Sequence, residues 1–304
     1  MKFIEVVIID GFKFEKMISY GEVAIGGLLV ESNKILQTID YINSNKISRI
    51  NLNSSHGYFL KNIDFVTEVA DVIEDINIVD DDINPKKIES LHHLKKLRLN
   101  EYDYPLDFSN FSQLESCGMR WRKNLSNLNA CTKLKRLSLS KFPYTEKTAD
   151  FLMGLEQIES LEFVQSKFAN LEFLQNFPNL KTFELWYIIV LENIDGLKYC
   201  ADSLNRLILD HCKRIENYEV LGQLTELKWL NVTDSRELEN LYFLKKLKKL
   251  EHFAFVNTNV VNGDISPAIG IKHVGFFNKR HYSHTNEEIK ELTTSQSRKS
   301  HGFN

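Results

Sequence analysis

The histidines of "KRHYSH", His281 and His284, with His273 just upstream, form the grouping in this sequence that most invites metal coordination. A stable site needs three or four converging ligands and a supporting carboxylate, and this spacing supplies neither. "VDDDIN" sets Asp80, Asp81 and Asp82 in a row, without the alternating acids, glycine and terminal Glu of a calcium loop, and reads as a solvated turn. Gly21, Gly26 and Gly27 in "GEVAIGG" match neither dinucleotide-binding nor phosphate-loop spacing. "ESCGM", around Cys117, lacks both a base partner and a nucleophile elbow. His211 and Cys212 are neighbours that a strand would point to opposite faces. The expectation is therefore no cofactor, no metal and no catalysis.

Residues suited to recognition are better organised. Arg98, Glu101, Arg120, Trp121, Arg136, Glu162, Glu184, Trp186, Tyr187, Arg206, Asp210, Trp229, Asp234, His252 and Asn257 recur along the chain with a spacing near 22 residues. Trp, Tyr and Arg are the types that most often dominate protein interfaces, and all three tryptophans of the chain fall in this set. Charge is ordered as well. Arg98, Arg120, Arg122, Lys123, Arg136 and Lys141 cluster in the first half, while Glu162, Glu184, Asp210 and Asp234 mark the second, a pattern that calls for a partner of complementary charge.

These residues are positioned by a repeat. "LKKLRLN" places Leu94, Leu97 and Leu99 at relative positions 1, 4 and 6, and the same pattern starts at Ile47, Ile73, Leu114, Leu134, Ile158, Leu180, Leu204, Leu227, Leu250 and Ile271. A short strand buries positions 4 and 6, position 1 reaches the same core from the preceding turn, and positions 3, 5, 7 and 8 point outward. One unit cannot close a core, so the units must stack. Return segments such as "NIDFVTEV", "NLEFLQNF", "NIDGLKYC", "NYEVLGQL" and "NLYFLKKL" open with Asn, which initiates a helical turn by accepting backbone N–H groups.

The L-x-x-L-x-L repeat resembles the leucine-rich repeat over about three quarters of the chain. That resemblance implies an α/β solenoid: a horseshoe with a parallel β-sheet on its concave face and short helices or 3₁₀ turns on its convex side. One departure is visible, since the Asn or Cys that commonly follows the strand is clear only at Cys212. The concave face is the expected binding surface. Similarity to stand-alone bacterial leucine-rich repeat proteins implies a protein partner, sequestered as an immunity protein sequesters a toxin. A scaffolding subunit of an enzyme complex and a small-ligand or glycan binder using the tryptophans as platforms remain open alternatives.

Caps are expected at both ends. Residues 1–46 read as an N-terminal cap, with a hairpin about Asp10-Gly11 and a helix carrying Ile35, Ile39 and Ile42 behind a Ser32 cap; 47–280 read as a solenoid of about 11 rungs. Residues 281–304 read as a C-terminal cap with one helical turn at "NEEIKEL" and a polar, disordered tail. Of the 304 residues 43% are hydrophobic, enough for a sizeable core, and the net charge of -3 lacks the basic excess of a nucleic-acid binder. No apolar stretch is long enough to span a membrane, and the amino terminus lacks a signal-peptide pattern. Four cysteines without CxxC spacing suit reduced fillers. Together these features predict a cytoplasmic protein, monomeric in isolation.

Overall fold

A computed structural model describes residues 5–19, 22–100, 102 and 104–301. Gly21, Glu101 and residues 302–304, which carry expectations above, lie outside them. The chain divides into two compact units, Met1–Leu137 and Ser138–Asn304.

In the first unit β1 (Glu5–Ile9) and β2 (Phe12–Ser19) pair antiparallel about Asp10 and Gly11, whose φ angles of 52° and 81° make the mirror-image turn that suits strand twist. A strand not anticipated from sequence, β3 (Glu22–Leu29), follows and pairs antiparallel with β2 and parallel with β4 (Arg49–Leu52). Its glycines have a packing role. A Cβ on Gly26 would sit 2.8 Å from the Glu15 Cβ, and one on Gly27 would sit 2.9 Å from the Arg49 Cγ. The space lets Glu15 accept hydrogen bonds from the Gly27 N–H at 3.0 Å and from Asn51 Nδ2 at 2.8 Å, joining the hairpin to the first rung. Helix α1 (Ile35–Asn45) buries Ile39 and Ile42 as expected, but Ser32 does not cap it. The Ser32 hydroxyl instead accepts from the Phe59 and Leu60 N–H groups of the loop after β4, at 2.7 and 3.2 Å.

The rungs follow the sequence register. In the first unit β4, β5 (Asp75–Ile78), β6 (Lys96–Leu99) and β8 (Ser116–Arg120) pair in parallel with Ile50, Ile76, Leu97 and Cys117 side by side; a small ladder of β7 (Leu106–Asp107) and β9 (Leu125–Ser126) lies outside this row. Strand β10 (Arg136–Ser140) carries the division between the units. In the second unit β11 (Ser160–Val164), β12 (Thr182–Trp186), β13 (Arg206–Asp210), β14 (Trp229–Thr233), β15 (His252–Ala254) and β16 (His273–Gly275) align Leu161, Phe183, Leu207, Leu230, Phe253 and Val274. Positions 4 and 6 are buried throughout this row except at its last strand, and Phe163 packs among Phe168, Phe173 and Phe183 in edge-to-face contacts.

Behind the strands the chain must turn twice per rung. In the rungs of β10 to β15 the first turn uses left-handed backbone at position 8: Lys141, Gln165, Tyr187, His211, Asp234 and Asn257 have φ between 47° and 60°. Such conformations cost a non-glycine residue roughly 1–2 kcal/mol. The cost is offset because the N–H groups of Gln165, Tyr187, His211 and Asp234 each donate to a position-7 carbonyl one rung on, at 2.8–3.0 Å. Position 9 then returns to the core, where in three rungs a hydroxyl stands at the place that Asn or Cys commonly holds in leucine-rich repeats. Ser166 accepts from the Phe142 N–H at 3.0 Å, Ser235 from the Cys212 N–H at 3.0 Å, and Thr258 from the Ser235 N–H at 3.1 Å. The second turn is a 3₁₀ segment opened by Asn. Asn62, Asn170, Asn193, Asn217 and Asn240 all accept from the N–H two residues on, at 2.7–3.2 Å, and Asn84 and Asn262 do the same.

The C-terminal segment departs from expectation. Helix α2 (Asn286–His301) covers most of the tail anticipated as disordered. Thr285 and Glu288 cap it reciprocally, at 2.7 and 3.2 Å, and one face docks through Ile289 and Thr293, whose hydroxyl accepts the Gly270 N–H at 3.0 Å. Polar composition hid a helix that two buried contacts and a cap suffice to hold. Among the described residues no helix is long and apolar enough to cross a membrane.

Replacing Ser166, which is 2% exposed, with Ala removes the acceptor that the Phe142 N–H meets and is expected to cost about 1–3 kcal/mol in urea unfolding. Gly196→Ala drives a Cβ to 2.1 Å from the Leu171 carbonyl oxygen and is expected to cost about 2 kcal/mol or more by the same measurement; a neutral result in either variant contradicts this packing.

Candidate functional site

Parallel register turns outward residues into rows. In the second unit, position 3 aligns Arg206, Trp229, His252 and His273; position 5 aligns Glu162 and Glu184; and position 7 aligns Val164, Trp186, Asp210 and Thr233. Side chains one strand apart are close enough to touch, and here they do.

The position-3 row is a continuous stack. Arg206 Nε donates to Glu184 Oε1 at 2.8 Å while its guanidinium lies 4.5 Å from the centre of the Trp229 ring. Trp229 stacks on His252 with centroids 4.1 Å apart, and His252 on His273 at 4.3 Å. Trp229 and His252 thereby each have a flat neighbour on either side, and Trp229 retains 37% exposure. Burial, and secondly the charge of His273, hold the His252 imidazole below its ordinary pKa, with Glu251 opposing and Lys272 and Arg206 reinforcing the shift.

A second cluster forms where the chain turns. Tyr187 stacks on His211 at 4.1 Å, His211 Nδ1 lies 2.5 Å from Asp210 Oδ1, and Asn257 Nδ2 donates to Asp234 at 3.1 Å. Asp210, His211 and Asp234 bring one potential ligand atom each within 4.8 Å of the others, a convergence that sequence spacing did not reveal because it depends on the left-handed turn. Cys212 takes no part, since it points into the core and burial pushes its thiol up to about 12. The thiolate that a nucleophile requires is therefore scarcely populated near neutral pH. Cys131 and Cys200 are likewise pushed up to about 12, and all four cysteines are free and buried.

The anticipated recognition residues thus sort into groups. Glu184, Arg206, Trp229 and His252 form one linked row, and Tyr187, Asp210 and Asp234 the adjoining cluster. Asp210 was expected to be exposed, but His211 folds against its carboxylate and leaves the residue 9% exposed. Trp186 is half-buried with its indole N–H shielded and without a hydrogen-bond partner, and Glu162 accepts a hydrogen bond from the Ser138 hydroxyl at 2.5 Å. In the first unit Arg98 and Arg136 are exposed, while Arg120 and Trp121 are half-buried. That unit also holds an open cleft of about 710 Å³ beside Phe59, Leu60 and Lys61. Its acids are already engaged: Asp80 accepts from the Ser54 N–H and hydroxyl, Asp81 accepts from Asn100, and Asp82 pairs with Lys61.

No protein-family model matches the chain, and no curated protein matches it. Solved structures do. The functional domain of InlJ from Listeria monocytogenes, which includes a cysteine ladder, matches with a TM-score of 0.50 over 72% of this chain and 48% of its own, at 18% identity. The chain folds as a leucine-rich repeat solenoid. An internalin, inlF, from the same organism matches 72% of this chain and 71% of its own with a TM-score of 0.48 and 14% identity. A leucine-rich repeat protein of Leptospira interrogans matches 87% and 91%, with a TM-score of 0.40 and 13% identity. At such identities the likeness is one of fold, so the chemistry of this leucine-rich repeat face rests on its own residues.

Because folding depresses the His252 pKa, acidification protonates the unfolded chain before the folded one. Stability is therefore expected to fall as pH drops through the ordinary imidazole range near 6.5 towards the folded value. Urea midpoints at pH 7.5 and 5.5 should show this decline, and His252→Gln should make it shallower. An unchanged slope in the variant would refute the assignment.

Proposed function

We propose that this protein is a non-catalytic recognition module that binds a protein partner on the outward face of its parallel sheet. The observation that carries the reading is the row Glu184, Arg206, Trp229, His252 and His273, held in register by five strands and offering stacked rings and charge to solvent. Preorganised side chains of these types lose little conformational freedom on association, which favours specific binding. Tyr187, 45% exposed, extends the aromatic surface towards the adjoining cluster. In its specific form the proposal is a cytoplasmic bacterial protein that sequesters one partner, as an immunity protein sequesters a toxin. The four free, buried thiols are compatible with a reducing compartment.

The test is affinity capture from cell lysate with the intact chain and with a Trp186→Ala, Trp229→Ala double variant whose fold is checked by circular dichroism. One protein retained in near-equal amount by the intact chain and lost by the variant is the expected outcome. Retention of nothing, or equal retention by both forms, would count against this face as the binding surface.

A further inference from the structure

The two edges of the long sheet are finished differently. At its last strand, β16, His273 and Gly275 turn their backbone groups towards β15, and the carbonyls on the other side, those of Val274 and Phe276, each accept from Asn286 Nδ2 of α2 at 3.4 Å. At its first strand, β1, the one neighbour among the described residues is β2. An uncovered edge is ordinarily blunted by charge, proline or a bulge, because its free N–H and C=O groups offer a template to another strand. β1 reads Glu-Val-Val-Ile-Ile, four β-branched aliphatic residues in succession, and its single charge, Glu5, is tied to Lys16 at 2.9 Å.

Hairpin geometry fixes which groups are free. The two-residue turn at Asp10-Gly11 makes Ile9 and Phe12 a hydrogen-bonded pair, so Ile9, Val7 and Glu5 turn their backbone groups towards β2. Val6 and Ile8 turn theirs to the open side. Their side chains stand in register with Glu15 and Lys13, on the outward face where Glu15 reaches Asn51, and are 39% and 67% exposed.

This strand is complementary to itself. In an antiparallel pair centred on Val7 all five residues overlap, with Val6 opposite Ile8 of the second copy and Val7 opposite its own counterpart. Val6 and Ile8 both bring free N–H and C=O groups, so the two symmetric Val6–Ile8 pairs complete the alternating ladder of an antiparallel sheet. Their four aliphatic side chains meet on one face, and Glu5 falls opposite Ile9, so no like charges oppose each other.

We propose that the chain self-associates through β1, two copies joining their sheets antiparallel about a two-fold axis at Val7. The monomer expected from the sequence is then the dilute form. A five-residue seam falls below the roughly 1,200 Å² of standard interfaces, so the dimer forms and dissociates with concentration. Because α2 occupies the carbonyls of the opposite edge, association closes at two copies instead of growing into a filament.

Sedimentation velocity of the full chain between about 5 and about 500 μM, a range bracketing a micromolar equilibrium, is expected to pass from monomer to dimer. Ile8→Lys sets a charge at both ends of the seam and should weaken dimerisation by about tenfold or more. Val7→Cys brings two thiols together at the non-hydrogen-bonded central pair, where Cα atoms lie about 4.5 Å apart, so diamide should link that variant into a covalent dimer. Glu5→Cys, opposite Ile9, should not link, and the four native cysteines are buried. A monomer at every concentration, a dimer indifferent to Ile8→Lys, or equal linking of the two cysteine variants overturns the proposal. The intact-chain titration and the cross-linking decide the matter even if Ile8→Lys misfolds. If the intact chain stays monomeric and Ile8→Lys loses a protein captured from lysate, the edge belongs to a partner's strand and self-association is refuted.

Discussion

No rung of this chain can bury its own apolar residues, because a three- to five-residue strand and a 3₁₀ turn enclose too little volume. Every other feature answers that constraint. Position-4 residues align from rung to rung, so each side chain finds a cover in the units before and after it. Terminal rungs have a neighbour on one side only, and the structure supplies substitutes: a three-stranded antiparallel segment and α1 at one end, α2 at the other. Glu15 and Thr293 accept hydrogen bonds across these joins, so the caps are bonded as well as packed.

Stacking in register also dictates how the chain turns. To leave the strand and return to the core within two residues, position 8 of the rungs of β10 to β15 adopts left-handed backbone whatever its side chain, and Tyr, Gln, Lys and His occupy it there beside Asn and Asp. Position 9 then faces the core with backbone N–H groups that need acceptors. Hydroxyls of Ser166, Ser235 and Thr258 meet that demand, each bonding a neighbouring rung. The ladder is chemically different from one of asparagine or cysteine, yet it satisfies the same backbone groups.

The outward face inherits its character from the same register. Residues without apolar obligations are brought within about 4–5 Å of their counterparts one rung away, and they pair with what they meet. Arg206 meets both Glu184 and Trp229, and His252 is sandwiched between Trp229 and His273. Glu162 is left with the Ser138 hydroxyl, Asp210 with the His211 imidazole and Asp234 with the Asn257 amide. The electrostatic personality of the face thus comes from what remains after internal pairing, more than from the count of charges.

The repeat, its phase and the Asn-initiated turns were legible in the sequence, because burial at positions 4 and 6 and the side-chain acceptor of Asn act over a few residues and leave a periodic trace. So was the outward placement of Glu184, Arg206, Trp229 and His252. Tertiary structure alone decided the rest, for reasons of distance. Strand β3 depends on Gly26 and Gly27 admitting Glu15 and Arg49 from other strands, and α2 depends on a dock for Ile289 and Thr293 that polar composition does not advertise. The hydroxyl ladder and the left-handed column are set by bonds between rungs some 23 residues apart, and no local preference of Ser, Tyr or His announces them. The burial of Asp210 beneath His211 likewise arises only once the backbone turns left-handed between them and the next rung, which is why two neighbours in sequence came to share one site in space.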